Sequence, residues 1–371
     1  MKKLGFGLMR LPLLNNNDFT KIDIDLVNKC VDKFIESGYT YFDTAYIYHE
    51  GFSEKIVKEC LVNRHDRNTF TVATKMPVFM VKEFADYQRI FEEQLDKTGL
   101  SYFDYYLLHS LNALRYDNYL VKKDGFNFLQ EIKKKGLAKK VGFSFHDNAQ
   151  TLQRILADHP EIDFVQLQIN YADWDNDAIE SRKCYEVACK YHIPVIVMEP
   201  VKGGALSKLP IEAETLLKNE KPNASLANWA FRYVASLDNV MMILSGMSNY
   251  EQIIDNINTF DHLIKLNNKE QELIKKVVKI IEDKVLVACT SCRYCIDGCP
   301  QHINIPEFFA LYNNQHIYSL APAMFHYYDA LSEEGNKASA CIECKACENI
   351  CPQHLSIINH LKGVAKVFEN R

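Results

Sequence analysis

From residue 4 to about residue 262, eight short apolar runs alternate with stretches of helical periodicity, the pattern of a parallel α/β fold. The runs lie at 4–10, 40–45, 70–76, 103–109, 140–145, 164–170, 194–199 and 240–245. Helical faces follow at 24–37, 83–97, 126–135, 148–157, 178–191, 223–236 and 249–260. On the first of these, Leu26, Cys30 and Phe34 share a face with Val27, Val31 and Ile35. Eight strand–helix units predict an α/β fold of the (β/α)8 TIM barrel type. A doubly wound sheet is the competing arrangement, but it needs a Gly-rich loop after its first strand. Residues 4–12 offer only Gly5-Phe6-Gly7, without a third glycine at the right spacing.

In such a barrel the reacting groups sit at the C-terminal ends of the strands. Those ends carry Asp43, Lys75 and His109 on three consecutive strands, with Tyr48 five residues after Asp43. The set is chemically coherent. A tyrosine at its reference pKa of about 10 is a poor acid at neutral pH. A nearby ammonium is expected to lower that pKa, an aspartate to hold the ammonium charged, and a histidine to orient a carbonyl oxygen. Singly, each has a structural explanation as good as a functional one: Asp43-Thr44 as a cap, His109 as a satisfied core histidine. Four at matching strand ends favour function.

Beyond the barrel the chain changes character. Residues 269–287 read as an amphipathic helix whose face of Leu273, Ile274, Val277, Val278 and Ile281 needs a partner. Segment 263–288 is thus expected to be a docked connection between a barrel of residues 1–262 and a domain of residues 289–371. Of the twelve cysteines, eight fall in that last domain. Cys289-x2-Cys292-x2-Cys295-x3-Cys299-Pro300 recurs as Cys341-x2-Cys344-x2-Cys347-x3-Cys351-Pro352, offset by 52 residues, and Gln301-His302 returns as Gln353-His354. This is the run that holds [4Fe–4S] clusters in bacterial ferredoxins, where the fourth cysteine ligates the other cluster. It assigns Cys289, Cys292, Cys295 and Cys351 to one cluster, and Cys341, Cys344, Cys347 and Cys299 to the other. Paired zinc sites are the alternative, but zinc ribbons use CxxC knuckles rather than four-cysteine runs ending in Cys-Pro. Helical patterns at 305–309, at 325–328 and through Leu355, Ile358, Leu361 and Val364 make this small, mostly α-helical domain resemble the α-helical ferredoxin type.

Within the barrel, Phe42-Asp43-Thr44-Ala45-Tyr46-Ile47-Tyr48, Thr74-Lys75 and Leu107-Leu108-His109 together resemble the catalytic region of the aldo-keto reductases, in their iron–sulfur-containing branch. The resemblance implies NAD(P)H-linked carbonyl reduction with Tyr48 as general acid. It also implies cofactor contacts from Ser144, Gln166, Met198, Lys202, Gly203, Ser245, Gly246, Met247, Ser248, Gln252 and Asn256. Three positions depart from the commoner family pattern. Phe145-His146-Asp147 follows Ser144 where Asn is usual, Met198 stands where an aromatic ring commonly stacks on the nicotinamide, and Gln252 stands where an arginine often pairs with the 2′-phosphate. NADP and NAD both stay open. Lys202-Gly203-Gly204 offers charge and backbone N–H groups for a pyrophosphate.

A formal charge of -5 and a pI near 6.2 give no reason to expect nucleic acid or an anionic membrane as partner. No apolar run reaches the roughly 18 residues of a membrane span. The N-terminal Met1-Lys2-Lys3 has no apolar stretch behind it, so a cytoplasmic location is expected. Cysteines in that compartment point to metal or redox chemistry rather than disulfides. The expected function is an oxidoreductase that reduces a small-molecule carbonyl, with two [4Fe–4S] clusters linking it to a ferredoxin-type partner. The alternative is an electron-transfer or redox-sensing protein whose barrel binds nucleotide without turnover; a third possibility makes the clusters a brace.

Overall fold

The computed structural model describes residues 2–15, 18, 20–117, 124–177, 179–289, 293–319, 321–332, 335–351 and 353–370. Eight parallel strands close into a barrel in chain order: β1 (Leu4–Gly7), β2 (Tyr41–Asp43), β3 (Thr71–Met76), β4 (Phe103–Leu111), β5 (Ala138–Phe145), β6 (Phe164–Gln168), β7 (Val195–Met198) and β8 (Val240–Gly246). Each overlaps one of the expected runs: β4, β5 and β8 overrun theirs by one or two residues, and β1 stops early because Leu8–Arg10 wind into a 3-10 turn. The barrel helices are α1 (Ile24–Glu36), α2 (Phe84–Thr98), α3 (Gly125–Lys134), α4 (Ala149–Asp158), α5 (Ser181–Lys190), α6 (Ile211–Glu220), α7 (Leu226–Ala235) and α8 (Tyr250–Asp261). Two helical segments were not expected. Residues 53–62 wind as α over Ser53–Ile56 and as π over Val57–Val62, which breaks the 3.6-residue period. In α6 only Ala213 and Leu217 are buried, too thin a stripe to read.

Period-two alternation sorts the inward side chains into layers. Tyr41, Tyr105, Leu107, Phe164, Met242 and Leu244 pack inside the barrel, with Tyr105 4.9 Å from Tyr41 and 5.4 Å from Phe164 between ring centroids. The interior is a filled core. Gly142 makes the room, since a Cβ there would lie 2.3 Å from the Phe164 carbonyl oxygen. Two residues further along the same strands, Asp43, Lys75, His109, Ser144, Gln166 and Met198 form the next layer, at the C-terminal mouth.

The chain separates into two compact units: residues 1–203 with 227–267, and residues 204–226 with 268–371. The boundary expected at 262 differs from this, because segment 204–226, between β7 and β8, belongs with the C-terminal unit. The reason lies in α9 (Asn268–Glu282), the connecting helix, which packs on α6. Ile274, Val277 and Ile281 are buried, and Lys269 pairs with Glu220 at 2.6 Å.

The rest of this unit repeats itself in space as in sequence. Short helices Tyr294–Asp297 and Ala346–Ile350 pack on each other, as do α10 (Ile305–Tyr318) and α12 (Ile357–Phe368), while α11 (Ala321–Leu331) packs on α10. Arg293 and Lys345 share a left-handed backbone, φ 66° and 62°, and His302 and His354 both have φ 51°. The His302 N–H donates to Cys299 O at 3.0 Å and the His354 N–H to Cys351 O at 3.1 Å. Among the described residues no helix is long and apolar enough to cross a membrane.

Gly142→Ala is expected to cost about 3 kcal/mol, because the new methyl meets backbone rather than a movable side chain. Thermal or denaturant unfolding checks this; a variant as stable as the parent would contradict the filled-barrel description.

Candidate active site

Lys75 is the centre of the barrel mouth. Its Nζ donates to Asp43 Oδ1 at 2.5 Å, to the Thr44 carbonyl at 2.8 Å and to Tyr48 OH at 3.3 Å. Lys75 is 1% exposed and Asp43 3%, so the pair stands in the protein interior. Tyr48 reaches it from a tight turn in which His49, Glu50 and Gly51 all take left-handed φ values, a conformation that costs energy and needs support. Support comes from the Leu11 N–H, which donates to His49 Nε2 at 3.2 Å, and from the Thr44 and Ser53 hydroxyls, 2.8 Å apart. His109 meets Tyr48 edge-on, ring centroids 5.9 Å apart.

Burial opposes the Lys75 ammonium, but Asp43 and Tyr48 outweigh it and lift its pKa, so the lysine is charged. The expected lowering of the Tyr48 pKa is corrected by the structure. Loss of hydration raises the phenol above its usual 10, and Lys75 recovers only part of the rise. Burial also drives His109 well below its ordinary 6.5, helped by the Lys75 charge, which leaves the imidazole neutral. The Nδ1 of His109 is buried without a hydrogen-bond partner among the described residues.

The residues expected to contact a cofactor divide into groups. Ser144 and Gln166 are buried at the ends of β5 and β6, and Ser144 Oγ accepts the Ser110 N–H at 2.7 Å. Met198 ends β7 at the mouth. Ser245 points outward instead, where Asn256 on α8 donates to its hydroxyl at 3.0 Å. Met247 is buried in the outer core, leaving only its backbone for a ligand. Gln252 accepts the Ser248 N–H at 2.7 Å. Lys202 is engaged with the buried Asp173 at 2.5 Å. Gly203 and Gly246 serve Arg10: a Cβ at Gly203 would come within 2.9 Å of its guanidinium, and one at Gly246 within 3.2 Å of its stem.

One buried carboxyl escaped the sequence reading. Glu54 is fully buried behind β3, and its Oε1 accepts Gln94 Nε2 at 2.6 Å and Thr74 Oγ1 at 2.7 Å. Gln94 also donates to the Lys75 carbonyl at 3.2 Å and accepts the Tyr106 hydroxyl at 2.5 Å. Burial pushes the Glu54 pKa up to about 7. Because this folded value lies above the ordinary 4.5, the stability it confers is complete below pH 4.5 and lost as pH rises through 7. The loss is on the order of 3 kcal/mol. Glu54→Gln should therefore gain on the parent between pH 5 and 8 in thermal unfolding, about those limits; parallel curves would contradict the raised pKa.

In the C-terminal unit Cys299, Cys341, Cys344 and Cys347 line one pocket, closed by Ile303, Ile305, Ile358 and Leu361. The first run's last cysteine thus sits with the second run. Burial pushes the Cys347 thiol up to about 11, with Cys341 and Cys299 adding to the rise, so thiolates gathered here need cations between them. Among the described residues no three His, Cys, Asp or Glu side chains converge tightly enough for a single metal ion. Four thiols around one pocket are the donor set a [4Fe–4S] cubane takes, and the four-cysteine runs ending in Cys-Pro set it apart from a zinc ribbon. Cys295 and Cys351 are buried and Cys289 half-buried; Cys292 lies outside the described residues. The barrel thiols of Cys30, Cys60 and Cys184 are buried packing groups, raised to about 11, 12 and 12.

Comparison with known proteins agrees with both halves. The aldo/keto reductase family model matches residues 3–279, and a 4Fe-4S dicluster domain model matches residues 288–356. Aldo-keto reductase AKR2E4 of Bombyx mori is 27% identical over 256 residues, which is 64% of this chain and 78% of that protein. The uncharacterized oxidoreductase YqkF of Bacillus subtilis is 22% identical over 288 residues, 69% and 86% of the two chains. Among solved structures, aldo-keto reductase AKR11C1 from Bacillus halodurans has the same fold with a TM-score of 0.58 at 22% identity, covering 74% of this chain and 91% of that one. An aldo/keto reductase from Klebsiella pneumoniae, in complex with NADP and acetate, gives 0.60 at 17% identity over 74% and 91%. With its eight-stranded barrel and its duplicated cysteine module, the chain belongs to the aldo/keto reductase family and carries a C-terminal 4Fe-4S dicluster domain.

Proposed function

We propose that the barrel reduces the carbonyl group of a small molecule with Tyr48 as general acid, and that two [4Fe–4S] clusters join it to a one-electron, ferredoxin-type partner. The observation that carries this reading is the contact chain Asp43–Lys75–Tyr48 beside a neutral His109. When bound, reduced NADP or NAD supplies the hydride for the carbonyl carbon. Tyr48 gives its proton to the carbonyl oxygen, and the phenolate left behind stands 3.3 Å from the Lys75 ammonium. Asp43 keeps that ammonium charged. Neutral His109 can donate an N–H to the oxygen and orient it without competing as the acid.

Among the described residues, Arg10, lying over Gly203 and Gly246, is a candidate cation for a pyrophosphate, whereas Lys202 is held by Asp173. The relative crystallised with NADP favours that dinucleotide, whereas Gln252 in place of an arginine keeps NAD in play. For the clusters, support comes from the thiol set Cys299, Cys341, Cys344 and Cys347 and, through the duplication, from Cys351 with Cys289, Cys292 and Cys295. Bound cubanes would supply single-electron steps; a hydride is a two-electron unit, so exchange between the two would require a carrier that takes both. A redox-sensing protein that holds nucleotide without turnover is the second reading, favoured by Met198 and by the engagement of Lys202.

Tyr48→Phe should lower kcat by at least about 100-fold with little change in KM, measured anaerobically on a carbonyl panel with NADPH and NADH. Unchanged turnover would remove Tyr48 from the chemistry. The pH–rate profile should be flat between about pH 6 and 8, because His109 titrates below that window and Tyr48 above it. A limb near 6.5 would assign the proton to His109 instead.

A further inference from the structure

The duplicated module contains its own control, because each position in one copy has a counterpart 52 residues away. Arg293 and Lys345 are such a pair, both in left-handed backbone inside the middle CxxC loop of their runs. There the copies part. Arg293 is ion-paired with Glu307, in the first turn of α10. The counterpart of Glu307 is Asn359, and among the described residues Lys345 has no acidic partner.

Lys345 also lines the pocket that holds Cys299, Cys341, Cys344 and Cys347. The other charges of that copy are compensated or turned away. Lys362, whose charge acts on Cys341, is paired with Glu343 at 2.8 Å. The Glu348 carboxylate accepts the Ile358 N–H at 3.0 Å, at the start of α12, and does not line the pocket. Among the described thiols, the lysine's set has Cys344 exposed, Cys299 and Cys341 half-buried and Cys347 buried, and the other set has Cys289 half-buried and Cys295 and Cys351 buried.

A cubane held by four thiolates is anionic and gains a further negative charge on reduction. An unpaired cation on the exposed loop between two of its ligands stabilises the reduced form, as does access of water, and a neutral Arg–Glu pair does so less. We propose that Lys345 sets the cluster of Cys299, Cys341, Cys344 and Cys347 at the higher reduction potential, so that this centre takes the first electron while the Arg293–Glu307 pair keeps its twin lower. The inference rests on the two-cubane reading above and adds an order to it.

The test is an anaerobic, EPR-monitored redox titration of the full chain with dithionite, after iron and sulfide have been counted. The parent should show two separate one-electron steps. Lys345→Gln should lower the upper potential and leave the lower one in place. Glu307→Gln, which frees Arg293, should raise the lower potential and leave the upper one in place, so each variant narrows the gap from a different side. Both substitutions are at the surface or half-buried and conserve size, and iron content verifies that the clusters remain. Two unresolved potentials in the parent, a Lys345→Gln shift confined to the lower step, or no shift in either variant would overturn the ordering. A parent holding far fewer than about eight irons would instead overturn the two-cubane reading beneath it.

Discussion

A lysine can stay ionised inside a barrel only if a counter-charge is built in beside it, and Asp43 at 2.5 Å from Lys75 is that counter-charge. The rest of the mouth follows from this pair. The Thr44 carbonyl takes a second proton of the ammonium, and Tyr48 is brought to the third. The turn after Tyr48 bears three successive left-handed residues to hold it there. Behind β3, Gln94 binds the Lys75 carbonyl and ties the strand to the buried Glu54.

The C-terminal unit solves a related problem by repetition. Thiolates, like an interior lysine, cannot be gathered without compensating charge, and two copies of one loop–helix unit supply them around shared sites. The copies agree in backbone down to the histidines after each Cys-Pro, yet differ in how their central basic residue is neutralised. Symmetry accounts for the ligands, and the proposed difference between the two centres rests on its breaking at Arg293 and Lys345.

Much of this was legible in the sequence. The eight strands stand out because buried parallel strands are short, apolar and evenly spaced, and Asp43, Lys75 and His109 converge because each ends one of three consecutive strands. Exchange of Cys299 between runs follows from motif spacing, and the pocket lining agrees with it. What stayed hidden depends on contacts between distant segments. Nothing in the sequence marks Glu54 out, because the Thr74 and Gln94 that bind it come from distant segments. Lys202 reads as a free cation until Asp173 takes it, and the Gly203 and Gly246 positions read as ligand contacts until Arg10 fills them. The Tyr48 pKa was misjudged because its neighbouring charge is visible in sequence and its desolvation is not.

On the proposed function, hydride passes directly to a carbonyl carbon beside Tyr48. Anaerobic turnover with NADPH carrying deuterium at C4, followed by mass spectrometry of the products from a carbonyl panel, tests it most directly. An alcohol with one deuterium on the former carbonyl carbon, lost in Tyr48→Phe, is the predicted result. Cluster reduction with the label released to solvent and no labelled alcohol would contradict it.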